Sequence, residues 1–309
     1  MRLSQKNKII IILGPTASGK TKLAVKLAAR FNGEIISADS RQIYKGMDIG
    51  TGKDKQDYII HGSELKKIPV HLIDILKPDQ KFSLAQYQKL CFKKINQIIK
   101  RGCVPVVAGG TGLYIEAILN NYNIPKIKPD YKLRAQLEKM NTEKLAKKLN
   151  QLDKNIFKKT DKKNKRRLIR GIEVALNKKN KRDKITSAKN KYNFIIIGIK
   201  KPINRLEKLI NKRVDKMIAQ GLAAETKKLI EAYGADSMPL QTIGYKEIIL
   251  YLDKKNSLKQ AVADIKLHTR QFAKRQMTWF NGMKNRNSKN KINWIMSYGQ
   301  AEKIIENFL

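Results

Sequence analysis

The segment Gly14-Pro15-Thr16-Ala17-Ser18-Gly19-Lys20-Thr21 sets two glycines, a lysine and a hydroxyl at the spacing GxxxxGK[ST]. Between a strand and a helix, such a segment wraps backbone N–H groups around a phosphate, and the helix N-terminus adds its positive end. Lys20 would bring a point charge to the terminal phosphate, and the Thr21 hydroxyl would ligate Mg²⁺. The motif implies a phosphorylated ligand without implying ATP hydrolysis. Its usual partner is a carboxylate at the end of an apolar strand. Asp39, after Ile35-Ile36, and Asp74, after Leu72-Ile73, both qualify, and spacing does not choose between them.

The pattern around the motif is strand, loop, helix. Residues 9–13 are a continuous apolar run suited to a buried parallel strand, and a partly apolar helix follows Lys20. Residues 34–37, 70–75 and 104–108 read as further strands. Ser83 and Gln86 form a capping box for a helix reaching about Arg101. Residues 194–199 return to a strand pattern, helices are expected near 203–220, 222–233 and 257–281, and a final short strand near 293–296. Strands alternating with helices predict a P-loop NTPase-like α/β fold: a parallel sheet flanked by helices, with ligands at the strand carboxyl ends.

The chain has 309 residues, 66 Lys+Arg and 26 Asp+Glu, a net charge of +40. Lysine is accompanied by many Asn and Ile residues, so base-composition bias is one reading of the excess; the other is an anionic partner, nucleic acid first and an anionic membrane surface second. Residues 121–190 hold 23 basic and 7 acidic residues, with helical spacing at Leu133, Leu137 and Met140 and at Leu168, Ile172 and Leu176. They read as a basic, all-helical insertion at 121–190 within a core domain made of 1–120 and 191–309. Apolar runs fall far short of the ~20 residues a membrane helix needs, and no secretory signal is visible near the start. Cys91 and Cys103 make no CxxC pair, so a disulfide framework and a cysteine zinc site are excluded and a reduced cytoplasmic setting is expected.

A second segment runs Ser37-Ala38-Asp39-Ser40-Arg41-Gln42-Ile43-Tyr44 and on to Asp48-Ile49-Gly50-Thr51. With the phosphate loop it resembles the tRNA dimethylallyltransferases, also called tRNA isopentenyltransferases. The likeness continues at His71-Leu72-Ile73-Asp74, Gly109-Gly110-Thr111-Gly112-Leu113-Tyr114, Arg166-Arg167-Leu168-Ile169-Arg170, Arg213-Val214-Asp215, residues 241–247 and residues 269–280, in family order. The resemblance implies transfer of a dimethylallyl group from dimethylallyl diphosphate to N6 of adenosine 37, next to the anticodon of tRNA, with release of diphosphate.

What the resemblance implies for residues is specific. Gly14, Pro15, Thr16, Ala17, Ser18, Gly19, Lys20, Thr21 and Arg213 match the diphosphate contacts, with Thr21 acting through Mg²⁺, and Asp39 matches the base. Asp39, Ser40, Arg41, Gln42 and Thr111 match positions facing the target nucleotide. Arg134 and Arg166, Arg167, Leu168, Ile169 and Arg170 match tRNA-contacting positions in the insertion; Gly244, Tyr245, Lys246, Lys274, Arg275 and Gln276 match others in the core. The chemistry agrees. The N6 lone pair is delocalised into the purine, so a carboxylate that removes a proton would help by ~10²–10⁴-fold, and charge growing on the leaving diphosphate would meet Lys20 and Arg213. Asp39 also admits a humbler part, near Mg²⁺ or as a helix cap.

There are departures. Val70 replaces a histidine common in the family, Leu209 stands where another arginine is common, and the cysteines of the eukaryotic relatives' C-terminal zinc finger are missing, which suggests a compact bacterial-type monomer. Three other classes remain open: an adenylate isopentenyltransferase acting on free nucleotides, a small-molecule P-loop kinase, and a non-enzymatic RNA-binding protein. The basic insertion has no use in the first two, and the intact phosphate loop with Asp39 argues against the third.

Overall fold

The computed structural model describes residues 7–60, 66–124, 127, 129–177, 186–187, 190–286 and 291–309. It divides into two units, Met1–Asn121 with Lys189–Leu309, and Tyr122–Ala188.

The larger unit is built on six strands: β1 (Lys8–Leu13), β2 (Gly33–Ser37), β5 (Val70–His71), β6 (Val104–Gly109), β9 (Asn193–Ile199) and β10 (Ile292–Ile295). They form one parallel sheet in the order β10-β9-β1-β6-β2-β5. The isoleucine run of β1 is buried on both faces, which is why it reads as continuous rather than alternating. Ile9, Ile11 and Leu13 pack with α2 (Leu84–Lys100) and α3 (Gly112–Leu119); Ile10 and Ile12 pack with α1 (Lys20–Arg30) and α12 (Tyr298–Phe308). A third cluster joins α8 (Ile203–Ala219), α9 (Leu222–Tyr233), α10 (Tyr245–Leu252) and α11 (Leu258–Arg286) to Ile43, Tyr44 and Met47. Two short strands, β3 (Ile59–Ile60) and β4 (Lys66–Lys67), pair antiparallel after a 3-10 helix at Lys55–Tyr58. No described helix is long and apolar enough to cross a membrane.

The third expected strand is much shorter than its apolar pattern. Leu72 and Asp74 have φ of +61° and +53°, which ends the extended run after His71. The chain turns there, and the N–H groups of Ile75 and Leu76 go to the Ile43 carbonyl. Helices α3, α10 and α12 fall outside the helices expected from periodicity.

The smaller unit contains α4 (Tyr131–Glu138), α5 (Thr142–Leu152), α6 (Lys154–Lys159) and α7 (Lys165–Leu176), packed around Leu137, Leu145, Leu149, Leu168, Ile169 and Ile172. It is not all-helical. Two short strands, β7 (Tyr122–Asn123) and β8 (Thr186–Ser187), pair antiparallel. Two residues are too few for an alternation to show in sequence.

Candidate active site

Three loops converge because their strands are neighbours in register. Leu13 pairs with Gly109 and Ala108 with Ser37, so the phosphate loop, Gly110-Thr111 and Ala38-Asp39 leave the same carboxyl edge. Hydrogen bonds lock two of them together: Thr111 N–H donates to Ala38 O at 3.1 Å, and Ser40 N–H donates to Thr111 Oγ1 at 3.0 Å. The Arg41 N–H donates to Asp39 Oδ1 at 2.9 Å, which fixes one oxygen of that carboxylate.

Gly19 takes φ of +90° at the start of α1, a conformation that glycine adopts without strain and that turns the loop into the helix. The Ser18 Oγ is buried and makes no hydrogen bond, so the loop holds a hydroxyl suited to an anionic acceptor. Lys20 Nζ donates to the Pro15 carbonyl at 2.7 Å. Burial, then the neighbouring Arg213, push the Lys20 ammonium down to about 8, against an opposing pull from Asp39.

Arg213, on α8, donates to Thr16 Oγ1 at 3.2 Å and to the Thr51 carbonyl at 3.1 Å. Burial lowers its pKa, while Asp39 and Asp57 raise it; a guanidinium remains charged regardless. A Cβ at Gly52, where φ is +61°, would overlap the Arg213 guanidinium. Gln276, on α11, spans the site: its Oε1 accepts from Thr16 N–H at 2.8 Å and its Nε2 donates to Gly110 O at 2.9 Å.

These groups enclose a cavity of about 570 Å³. Thr16, Lys20, Thr21, Asp39, Ser40, Arg41, Gln42, Thr111, Arg213, Gly244, Lys246, Arg275 and Gln276 line it. Asp74 does not: it pairs with the buried Lys53 and with Lys55. The structure thus separates the two carboxylates that spacing left equal. Gly14, Pro15, Ala17, Ser18 and Gly19 shape the loop behind the cavity wall. Lys274 is exposed on α11.

Some expected tRNA contacts have other work. The Tyr245 side chain is buried, with its hydroxyl donating to Glu225 Oε1 at 2.7 Å. Leu168 and Ile169 are buried in the small unit's core, so their side chains present nothing to a ligand. Arg134 grips Glu173 with two hydrogen bonds of 2.7 Å, and Arg170 donates to Glu173 at 3.1 Å and to the Ile127 carbonyl at 3.0 Å. Burial pushes the Glu173 carboxyl up, but the hydrogen bonds from both arginines and the Asp130 N–H outweigh it and hold the group below its ordinary value. Arg166 and Arg167 stay on the surface.

The cavity also uses residues without an expected role. Thr51 and Gly52 receive Arg213, Tyr58 and Met217 add apolar wall, and Leu113 and Trp279 line the side near Gly112. For the first pair the sequence signal was the second motif, which ends at Thr51 with Gly52 next to it.

Fold and site together define a P-loop α/β protein whose cationic loop faces a carboxylate across a partly apolar cavity. The comparisons sharpen that class. The family model described as IPP transferase matches residues 42–284. A tRNA dimethylallyltransferase of Acetivibrio thermocellus is 43% identical over 312 residues, covering 97% of this chain and 96% of that one. Among solved structures, a tRNA isopentenylpyrophosphate transferase of Bacillus halodurans is similar with a TM-score of 0.69 and 38% identity, covering 98% of this chain and 95% of that one. A eukaryotic dimethylallyltransferase acting on tRNA gives a TM-score of 0.78 at 28% identity, covering 94% of this chain and 74% of that one. The chain belongs to the tRNA dimethylallyltransferase family.

Proposed function

We propose that this chain transfers the dimethylallyl group of dimethylallyl diphosphate to N6 of adenosine 37 in the tRNA anticodon loop, as a cytoplasmic monomer. The observation that carries the reading is the meeting of Lys20, Arg213 and Asp39 in one cavity at the sheet's carboxyl edge. The phosphate-loop N–H groups, Lys20 and Arg213 hold the donor's diphosphate. Tyr58 and Met217 supply apolar wall of the same cavity for the short prenyl tail. The target adenine leaves its stack, at low cost for a loop base, and enters between Asp39 and Thr111.

In the transfer, N6 attacks C1 of the prenyl group as the C1–O bond breaks. The electron pair of that bond leaves with the diphosphate, where Lys20 and Arg213 are already placed to meet the growing charge. The N6 proton passes to the Asp39 carboxylate, whose Oδ1 is steadied by the Arg41 N–H.

The donor set fits Mg²⁺. Thr21 and Asp39, both oxygen donors, line the same cavity. Such a sparse oxygen set suits an ion that completes its shell with phosphate oxygens and waters. The Thr21 hydroxyl would hold the ion, which when bound would neutralise charge on the diphosphate.

The test is mass spectrometry of tRNA incubated with the protein, dimethylallyl diphosphate and Mg²⁺, with no ATP present. A mass gain of one dimethylallyl group on the anticodon-loop adenosine is expected. ATP-dependent phosphorylation of a small metabolite without prenyl transfer would overturn the reading.

A further inference from the structure

Glu225, on α9, is not part of the cavity wall, yet its carboxylate collects four hydrogen bonds. Oε2 accepts from Asp48 N–H at 3.1 Å and Ile49 N–H at 2.8 Å. Oε1 accepts from Gly50 N–H at 3.0 Å and from the Tyr245 hydroxyl at 2.7 Å. Three successive backbone N–H groups therefore point at one acidic side chain, and such convergent N–H donors are the arrangement that holds a carboxylate.

The same backbone continues straight into the Arg213 cradle. Thr51 presents its carbonyl to Arg213, and its hydroxyl turns back to the Met47 carbonyl at 2.6 Å. Gly52 lies so close to the guanidinium that a Cβ there would overlap it, and a Cβ at Gly50 would overlap the Tyr245 ring. Lys53 closes the far side, with its N–H donating to Asp48 O at 2.8 Å and its ammonium pairing with Asp48 Oδ1 at 2.7 Å. Residues 48–52 are thus held between Glu225 with Tyr245 on one side and Arg213 on the other.

We infer that Glu225 is a positioning residue: by fixing the backbone of residues 48–52 it sets the place of Arg213, and through Arg213 the grip on the donor's diphosphate. Leu209, standing where a second arginine is common in the resembled family, sharpens the dependence on this one. The inference rests on the donor-site role proposed above for Arg213.

The test is a double-mutant cycle on the full chain, read as affinity for inorganic diphosphate with Mg²⁺ by calorimetry, and as tRNA affinity in parallel. Glu225→Gln keeps the shape but turns an amide NH₂ toward one pair of donors. It should weaken diphosphate binding by about tenfold, the loss of about 1.4 kcal/mol that one or two broken hydrogen bonds produce. Affinity for tRNA should stay within about twofold, a difference of only about 0.4 kcal/mol. In an Arg213→Ala background the same substitution should add almost nothing, because the two residues act as one unit. Additive losses, or wild-type diphosphate affinity in Glu225→Gln, overturn the inference. If Glu225→Gln does not fold, Tyr245→Phe, which removes one of the four hydrogen bonds, takes its place in the cycle under the same criterion. A wild-type chain that does not bind diphosphate, or an Arg213→Ala variant that binds it normally, removes the donor-site reading itself and is recognised separately.

Discussion

The proposed diphosphate site should respond to pH through Lys20. Its pKa, brought down to about 8 by burial and by Arg213, means the ligand-free ammonium is about nine-tenths protonated at pH 7 and about one-tenth at pH 9. A diphosphate bound against Nζ favours the charged form, so binding at pH 9 must draw in about 0.9 proton, against about 0.1 at pH 7. Affinity should accordingly fall about tenfold between pH 7 and pH 9, or about 1.4 kcal/mol. Titration calorimetry in buffers of different ionisation enthalpy reads the proton count directly. Diphosphate has its own titration, so the informative quantity is the difference between wild type and Lys20→Arg, whose guanidinium never releases its proton. Equal proton uptake by the two at pH 9 would refute the argument. The sign for stability is the reverse. Unfolded Lys20 keeps its proton up to 10.5 while the folded side chain loses it near 8, so the ligand-free fold gains stability as pH rises through that window.

Asp39→Ala should lower turnover by ~10²-fold or more with tRNA binding near normal, measured by single-turnover label transfer; wild-type rates would sink the general-base role. Arg166 and Arg167 are exposed, whereas Arg170 is tied to Glu173, so the clean test of the small unit as an RNA clamp is the double Ala variant at 166 and 167. It should flatten the salt dependence of tRNA affinity by about 1–2 units in the log–log slope, and an unchanged slope counts against the clamp. Arg134→Ala strips two hydrogen bonds from Glu173, which has no exposed side-chain surface, and should destabilise the small unit by about 3 kcal/mol by hydrogen exchange. Because the Glu173 pKa is held below its ordinary value, its contribution is present at neutral pH and lost as pH falls through the folded value, so the variant and wild type should converge in acid.

What could be read from the chain alone was local. The phosphate loop, the Ser83–Gln86 capping box and the isoleucine run of β1 each act within a few residues, and each took the form its spacing implied. The basic stretch at 121–190 announced itself by charge, which also needs no partner. Other features depend on residues far apart in sequence. Asp39 and Asp74 follow similar apolar runs, and only the cavity wall and the Lys53 ion pair distinguish them. The strand at Val70–His71 ends early because residues 72–74 turn to meet Gln42 and Ile43. Gln276 reaches Thr16 across 260 positions of chain, Arg134 and Arg170 close on a buried Glu173, and Tyr245 faces inward to Glu225. Residue type and spacing determine which backbone conformations and which chemistry are available. Which polar group is buried, and must therefore find a partner, is decided only when the packed core excludes water.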